Sequence, residues 1–149
     1  MKRPHHLAIL TLITCSSLVS CGDPKTPEIR LSPPESHLAP GTEAVDAQRA
    51  AALIRDDLSI QIVDFRDEAA FRTGHIQSAL HANYFATDST PERLRALNPS
   101  LPILVYCELG ELSRQATAQV AELGFTRIYW LEGGLRTWRQ QGLPLTDPY

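Results

Sequence analysis

The sequence has little that would staple it, span a bilayer or draw it to a polyanion. Only three cysteines occur in 149 residues, Cys15, Cys21 and Cys107, so no dense disulfide framework is available. The apolar run Leu7 to Thr14 is far short of the roughly 20 residues that a membrane helix needs. Basic residues are not in excess: 14 Lys and Arg face 17 Asp and Glu, for a formal charge of −3. That balance argues against nucleic acid and against electrostatic capture by an anionic membrane. No segment repeats, which excludes solenoids and propellers.

What is present at the start reads as a targeting segment. Lys2 and Arg3 precede the short apolar core, and Leu18-Val19-Ser20-Cys21 follows it. This order resembles a bacterial lipoprotein signal, which implies cleavage before Cys21 and lipid on that residue. We expect residues 1–20 to be a lipoprotein signal peptide. Residues 21–42, with Pro24, Pro27, Pro33, Pro34 and Pro40, read as a Pro-rich tether that holds the rest off the membrane. The expected place is the bacterial cell envelope, facing periplasm or exterior, with membrane contact only through lipid at Cys21. Processing removes two basic residues and no acidic ones, moving the formal charge to about −5. Cys107 then remains the single free thiol. A lone thiol in a compartment that permits disulfides is a liability unless used or hidden.

Residues 43–149 suffice for one core and are too few for two. Their centre is Pro102 to Arg114, PILVYCELGELSR. Ile103 to Tyr106 is an unbroken apolar run that suits a strand buried on both faces. Cys107 follows, then a short loop with Gly110, then a helix that Ser113 opens, with Ala116, Val120 and Leu123 on one face and Gly124 as its stop. Open α/β sheets bind ligands at the carboxyl ends of such strands. A tight strand-to-helix loop aims N–H groups inward, and the helix start adds partial positive charge. A sulfur placed there is pushed toward the thiolate, the nucleophilic form. The plain alternative is a small buried hydrophobe.

The remaining elements alternate. Asp46 is placed to cap a helix carrying Ala50, Leu53 and Ile54. Ile60 to Phe65 is a strand, Asp67-Glu68 opens a short helix that buries Phe71, and Ala79-Leu80 is a short strand. Pro91, Leu94 and Leu97 mark a helical turn. Arg127 to Leu131 is a strand, Gly133-Gly134 a turn, and Leu135 and Trp138 share one face of a last helix ended by Gly142. Alternation of this kind predicts an α/β fold: a small parallel sheet with helices on both faces.

Three segments in this order resemble the rhodanese-like domain. They are Asp64-x-Arg66 with Phe71 and Gly74-His75-Ile76; Cys107-x-x-Gly110 ahead of a helix; and Gly133-Gly134 with Trp138. The resemblance implies a single-domain sulfurtransferase in which Cys107 is catalytic and carries sulfur as a persulfide. It implies that loop N–H groups from Glu108 through Leu109, Gly110, Glu111, Leu112 and Ser113 toward Arg114 bind the sulfur, with Asp64 and Arg66 as supports. No metal or organic cofactor is expected, because covalent catalysis needs neither. Expected partners are a small sulfane-sulfur donor or a persulfidated protein, and a thiol or other nucleophilic acceptor.

Two departures from the family pattern matter. Leu112 stands where many members carry arginine, and Gln77-Ser78 replaces Pro-Gly. Glu108 and Glu111 also make the loop acidic. A unit charge about 7 Å away at an effective dielectric near 60 is worth roughly 0.8 kcal/mol. A dianion passing both glutamates therefore meets roughly 3 kcal/mol of repulsion, with nothing at position 112 to offset it. Poor use of thiosulfate is the expectation, unless both carboxylates point to water. The rival from another class is a binding module that kept the fold and lost turnover. A phosphatase is disfavoured because the oxyanion-binding arginine is out of register: Ser113 stands there and Arg114 lies one further. His75 and His81 with Cys107 are too loose a set to predict a metal site.

Overall fold

The computed structural model describes residues 38–86 and 89–146. The expected signal segment, Cys21 and most of the expected tether lie outside the described residues. Among the described residues five strands and five helices alternate: β1 Thr42–Val45, α1 Ala47–Asp56, β2 Gln61–Asp64, α2 Glu68–Arg72, β3 Leu80–His81, α3 Thr90–Arg95, β4 Ile103–Tyr106, α4 Glu111–Glu122, β5 Ile128–Leu131 and α5 Gly134–Gln140. The strands form one sheet in the order β1-β5-β4-β2-β3, and every pairing is parallel. The fold is α/β, a parallel sheet with helices on both faces, as the alternation predicted.

β4 is central because its side chains are apolar on both sides. Ile103 and Val105 enter one core with Ala116 and Val120 of α4 and Leu94 of α3. Leu104 and Tyr106 enter the other, with Ala50 of α1 and Leu135 and Trp138 of α5. This is the period-2 alternation of a strand dividing two helical layers. All four β4 side chains are fully buried, each aliphatic one contributing about 1.5–3 kcal/mol.

The strand edges differ from the sequence reading in small ways. β1 was not visible as a strand: only Val45 of its four residues is buried, so no apolar run announces it. It gains its place by pairing with β5 at the sheet edge. β3 is Leu80–His81 rather than Ala79-Leu80. α4 opens at Glu111, two residues before Ser113. Phe71 is half-buried, not buried; it stacks on His75, with ring centroids 3.7 Å apart.

Candidate active site at the end of the central strand

Cys107 leaves the sheet where β4 ends, and the chain turns at once into α4. Two contacts fix the turn from outside. Leu135 donates its N–H to the Cys107 carbonyl at 2.9 Å, and Arg136 donates to the Glu108 carbonyl at 3.0 Å. The start of α5 thus holds the loop backbone. Gly134 makes this approach possible: it has φ +62, and a Cβ there would lie 2.4 Å from the Cys107 carbonyl oxygen. The loop also carries its own left-handed residue, Gly110, with φ +95. Its carbonyl accepts from the Trp130 indole N–H and from the Ser113 hydroxyl, both at 2.9 Å.

This geometry aims N–H groups at the sulfur. Cys107 Sγ accepts from Gly110 N–H at 3.2 Å and from Ser113 N–H at 3.5 Å. Ser113 Oγ also lies 3.5 Å from Sγ, but its one hydrogen is better placed toward the closer Gly110 carbonyl. Of the expected ring of amides from Glu108 to Ser113, two reach the sulfur in hydrogen-bonding geometry. Ser113 can donate because α4 begins at Glu111, which leaves its first-turn N–H without an intrahelical partner. The N-cap is Gly110, which supplies no capping side chain.

The sulfur borders a cleft of about 460 Å³ lined by Phe65, Arg66, Asp67, Ala70, Phe85, Cys107, Glu108, Leu109, Glu111 and Leu112. Cys107 is only 3% exposed, whereas Phe85 and Leu109 are 70% and 51% exposed. The thiol therefore sits deep, beneath an apolar rim. Leu112, where many members of the resembled family carry arginine, is part of that wall. Phe65, Asp67, Ala70 and Phe85 were not anticipated as cleft residues. The first three lie in or just after the Asp64-x-Arg66 stretch, which hinted at them; nothing in the sequence marked Phe85.

Charge near the cleft is arranged differently from the sequence expectation. Glu108 is not an unopposed anion: one carboxylate oxygen lies 3.3 Å from Arg66 Nη1, and the other is bonded by Arg139 Nη1. Glu111 pairs with Arg114 at 3.3 Å on the exposed side of α4. Arg114 consequently lies along the helix and is not among the cleft-lining residues. The 3 kcal/mol of repulsion expected from two bare glutamates is corrected by these partners. Arg66 itself is buried. It donates from Nε to both Asp64 oxygens at 3.0 Å, from Nη2 to Asp64 at 2.7 Å, and from Nη2 to the Gly74 carbonyl at 2.8 Å. Desolvation pulls its guanidinium down, but the hydrogen bonds and charge of Asp64 outweigh that, and the net shift is upward. Asp64 and Arg66 thus brace the strand end beside the loop.

The histidines stand elsewhere. His75 Nδ1 is 3.1 Å from the Phe71 carbonyl oxygen and from Thr146 Oγ1. His81 Nε2 is 2.9 Å from the Arg66 carbonyl oxygen. Neither lines the cleft.

Comparison with known proteins places this geometry in a family. The model of the rhodanese-like domain matches residues 46–141, and the chain belongs to that family. It is 28% identical over 95 residues to thiosulfate sulfurtransferase GlpE of Tolumonas auensis, covering 64% of this chain and 86% of the relative. To the GlpE of Pseudomonas putida it is 37% identical over 78 residues, covering 52% and 68%. A crystal structure of an Anabaena protein, whose solution structure is described as a rhodanese-like domain, superposes with a TM-score of 0.62 at 26% identity, over 70% of this chain and 92% of the other. The fold is shared with a polysulfide-sulfur transferase homodimer of Wolinella succinogenes, at a TM-score of 0.59 and 24% identity, over 72% and 80%. A sulfurtransferase-family fold with a cysteine at its strand end is what the chain presents.

Proposed function

We propose that the protein is a sulfurtransferase that carries sulfane sulfur as a persulfide on Cys107. The observation that carries this reading is the pair of N–H groups, from Gly110 and Ser113, converging on Sγ at the edge of a cleft. They stabilise negative charge on sulfur before attack and again on the persulfide. In the first step the Cys107 thiolate attacks the outer sulfur of the donor. A new S–S bond forms, the donor's S–S bond breaks, and the leaving group departs with the electron pair. In the second step a nucleophilic acceptor attacks the outer sulfur of the persulfide and Cys107 leaves as thiolate.

The donor is a small sulfane-sulfur compound or a persulfidated protein, and the acceptor a thiol or similar nucleophile. Thiosulfate is a poor donor. The GlpE relatives bear thiosulfate in their names, yet here Leu112 and Leu109 line the cleft, and its one lining cation, Arg66, is engaged by Asp64, Gly74 and Glu108. Lipid at Cys21 holds the domain to the cell-envelope membrane. Fractionation tests this: the wild-type chain partitions with membranes and Cys21→Ser does not.

The low exposure of Cys107 favours one rival, a binding module without turnover. Alkylation separates the two. A thiol that reacts with iodoacetamide in the folded protein, together with thiocyanate formation from a sulfane donor and cyanide, supports the enzyme. An inert thiol and no thiocyanate from any donor leave only the module.

A further inference from the structure

We propose that Glu108 is a specificity-determining residue: it sets the donor charge the cleft accepts by cancelling charge on Arg66, which lines the cleft, and on Arg139 behind it. This rests on the persulfide reading of Cys107 and names the donor class it serves. Glu108 lies next to Cys107 in sequence and lines the same cleft. Its carboxylate joins two arginines from separate parts of the fold, Arg66 beyond β2 and Arg139 in the last turn of α5. Asp64 occupies the other side of Arg66. The four groups form a row, Asp64, Arg66, Glu108 and Arg139, whose two negative and two positive charges sum to zero. Glu111 and Arg114 cancel in the same way.

Without the Glu108 charge the row carries a net positive charge. Arg66 Nη1 then faces the cleft without its carboxylate, and Arg139, whose side chain is 39% exposed, is released. Such a pair would attract a dianion. With Glu108 in place the row is neutral, and Phe85, Leu109 and Leu112 form an apolar part of the lining beside the carboxylates of Asp67 and Glu111. The donor that fits is therefore one of low charge bearing an apolar group.

Two donors that leave the same persulfide isolate the charge. Thiosulfate is a dianion and gives up its outer sulfur with sulfite leaving on the electron pair. Benzenethiosulfonate is a monoanion that gives up sulfur with benzenesulfinate leaving in the same way, and its phenyl ring replaces one charged oxygen. One unit of charge about 6 Å away at an effective dielectric near 60 separates the two donors by about fivefold.

The experiment measures kcat/KM for both donors, with cyanide as acceptor, on wild type, Glu108→Gln and Arg139→Gln. The ratio of thiosulfate to benzenethiosulfonate is expected to rise about fivefold in Glu108→Gln, to fall in Arg139→Gln, and both changes shrink as salt rises. Opposite signs and salt dependence are not what loosened packing produces. Ratios that stay within about twofold of wild type in both variants overturn the proposal while leaving the persulfide reading intact. If Glu108→Gln does not fold, Arg139→Gln decides alone: a lowered, salt-sensitive ratio supports the proposal and an unchanged one overturns it. Failure of wild type to form a persulfide with either donor removes both readings together.

Discussion

Two strand-to-helix junctions lie side by side in this sheet and solve the same problem in opposite ways. After β2, Asp67 caps its own helix, its carboxylate accepting from the Ala70 N–H at 2.8 Å. Asp46 does the same after β1, accepting from Arg49 N–H at 2.7 Å. After β4 the cap position is Gly110, which has no side chain to offer. The acceptor that takes the helix-opening N–H groups is instead the sulfur of Cys107. An ordinary cap is a carboxylate spent on stability. At β4 that role passes to the sulfur we propose as the nucleophile, and two amides near the helix start, Gly110 and Ser113, point at it instead.

The comparison can be broken most severely at Gly134. Adding a methyl there forces a contact with the Cys107 and Glu108 carbonyls and strains a left-handed residue. Gly134→Ala should destabilise by about 2–4 kcal/mol, read by denaturant unfolding, and should displace the loop and lower sulfur transfer. Tyr106 couples the two junctions: its hydroxyl accepts from the Ile76 N–H at 3.1 Å and its ring is buried. Burial, aided by the charge of Asp64, pushes its phenol far above the ordinary value of 10.0. The unfolded chain therefore releases this proton as pH passes about 10 while the folded chain retains it, so stability falls with rising pH. The expected slope is about 1.4 kcal/mol per pH unit beyond that point. Tyr106→Phe should flatten it at the expense of stability at neutral pH.

Smaller effects sharpen the contrast. Asp46→Ala should lower stability by about 1 kcal/mol, seen as a reduced Tm, without touching the sulfur. Ser113→Ala keeps the N–H on Sγ but removes the hydroxyl that anchors the Gly110 carbonyl. Its expected cost is roughly threefold to tenfold in kcat, measured with a single donor. Ser78 stands at φ 64 in a turn closed by Ala79 N–H to the Ile76 carbonyl. Ser78→Gly relieves that strain and should raise stability by roughly 0.5 kcal/mol.

Much of this was legible in the sequence because it was written in periodicity. Ile103 to Tyr106 announced a two-faced strand, and Ala116 and Val120 announced the helix beyond it. Asp46 announced a cap. β1 was hidden because three of its four residues face solvent or half-face it, and pairing rather than burial holds it. Cys107 and Gly110 were legible from their place between strand and helix. The arginine partners of Glu108 were not, since Arg66 and Arg139 lie 42 and 31 residues away and only the folded sheet brings them together. That is why the sequence suggested repulsion where the structure shows cancellation. The Gln77-Ser78 departure was visible, but its consequence, a serine held at positive φ, needed the backbone.

The most direct test of Cys107 as the sulfur carrier is the intact mass of the purified protein after benzenethiosulfonate and removal of excess donor. One added sulfur atom located on Cys107, lost on addition of cyanide and never gained by Cys107→Ser, is the predicted result. A wild-type mass that does not change, or a gain that persists in Cys107→Ser, would contradict it.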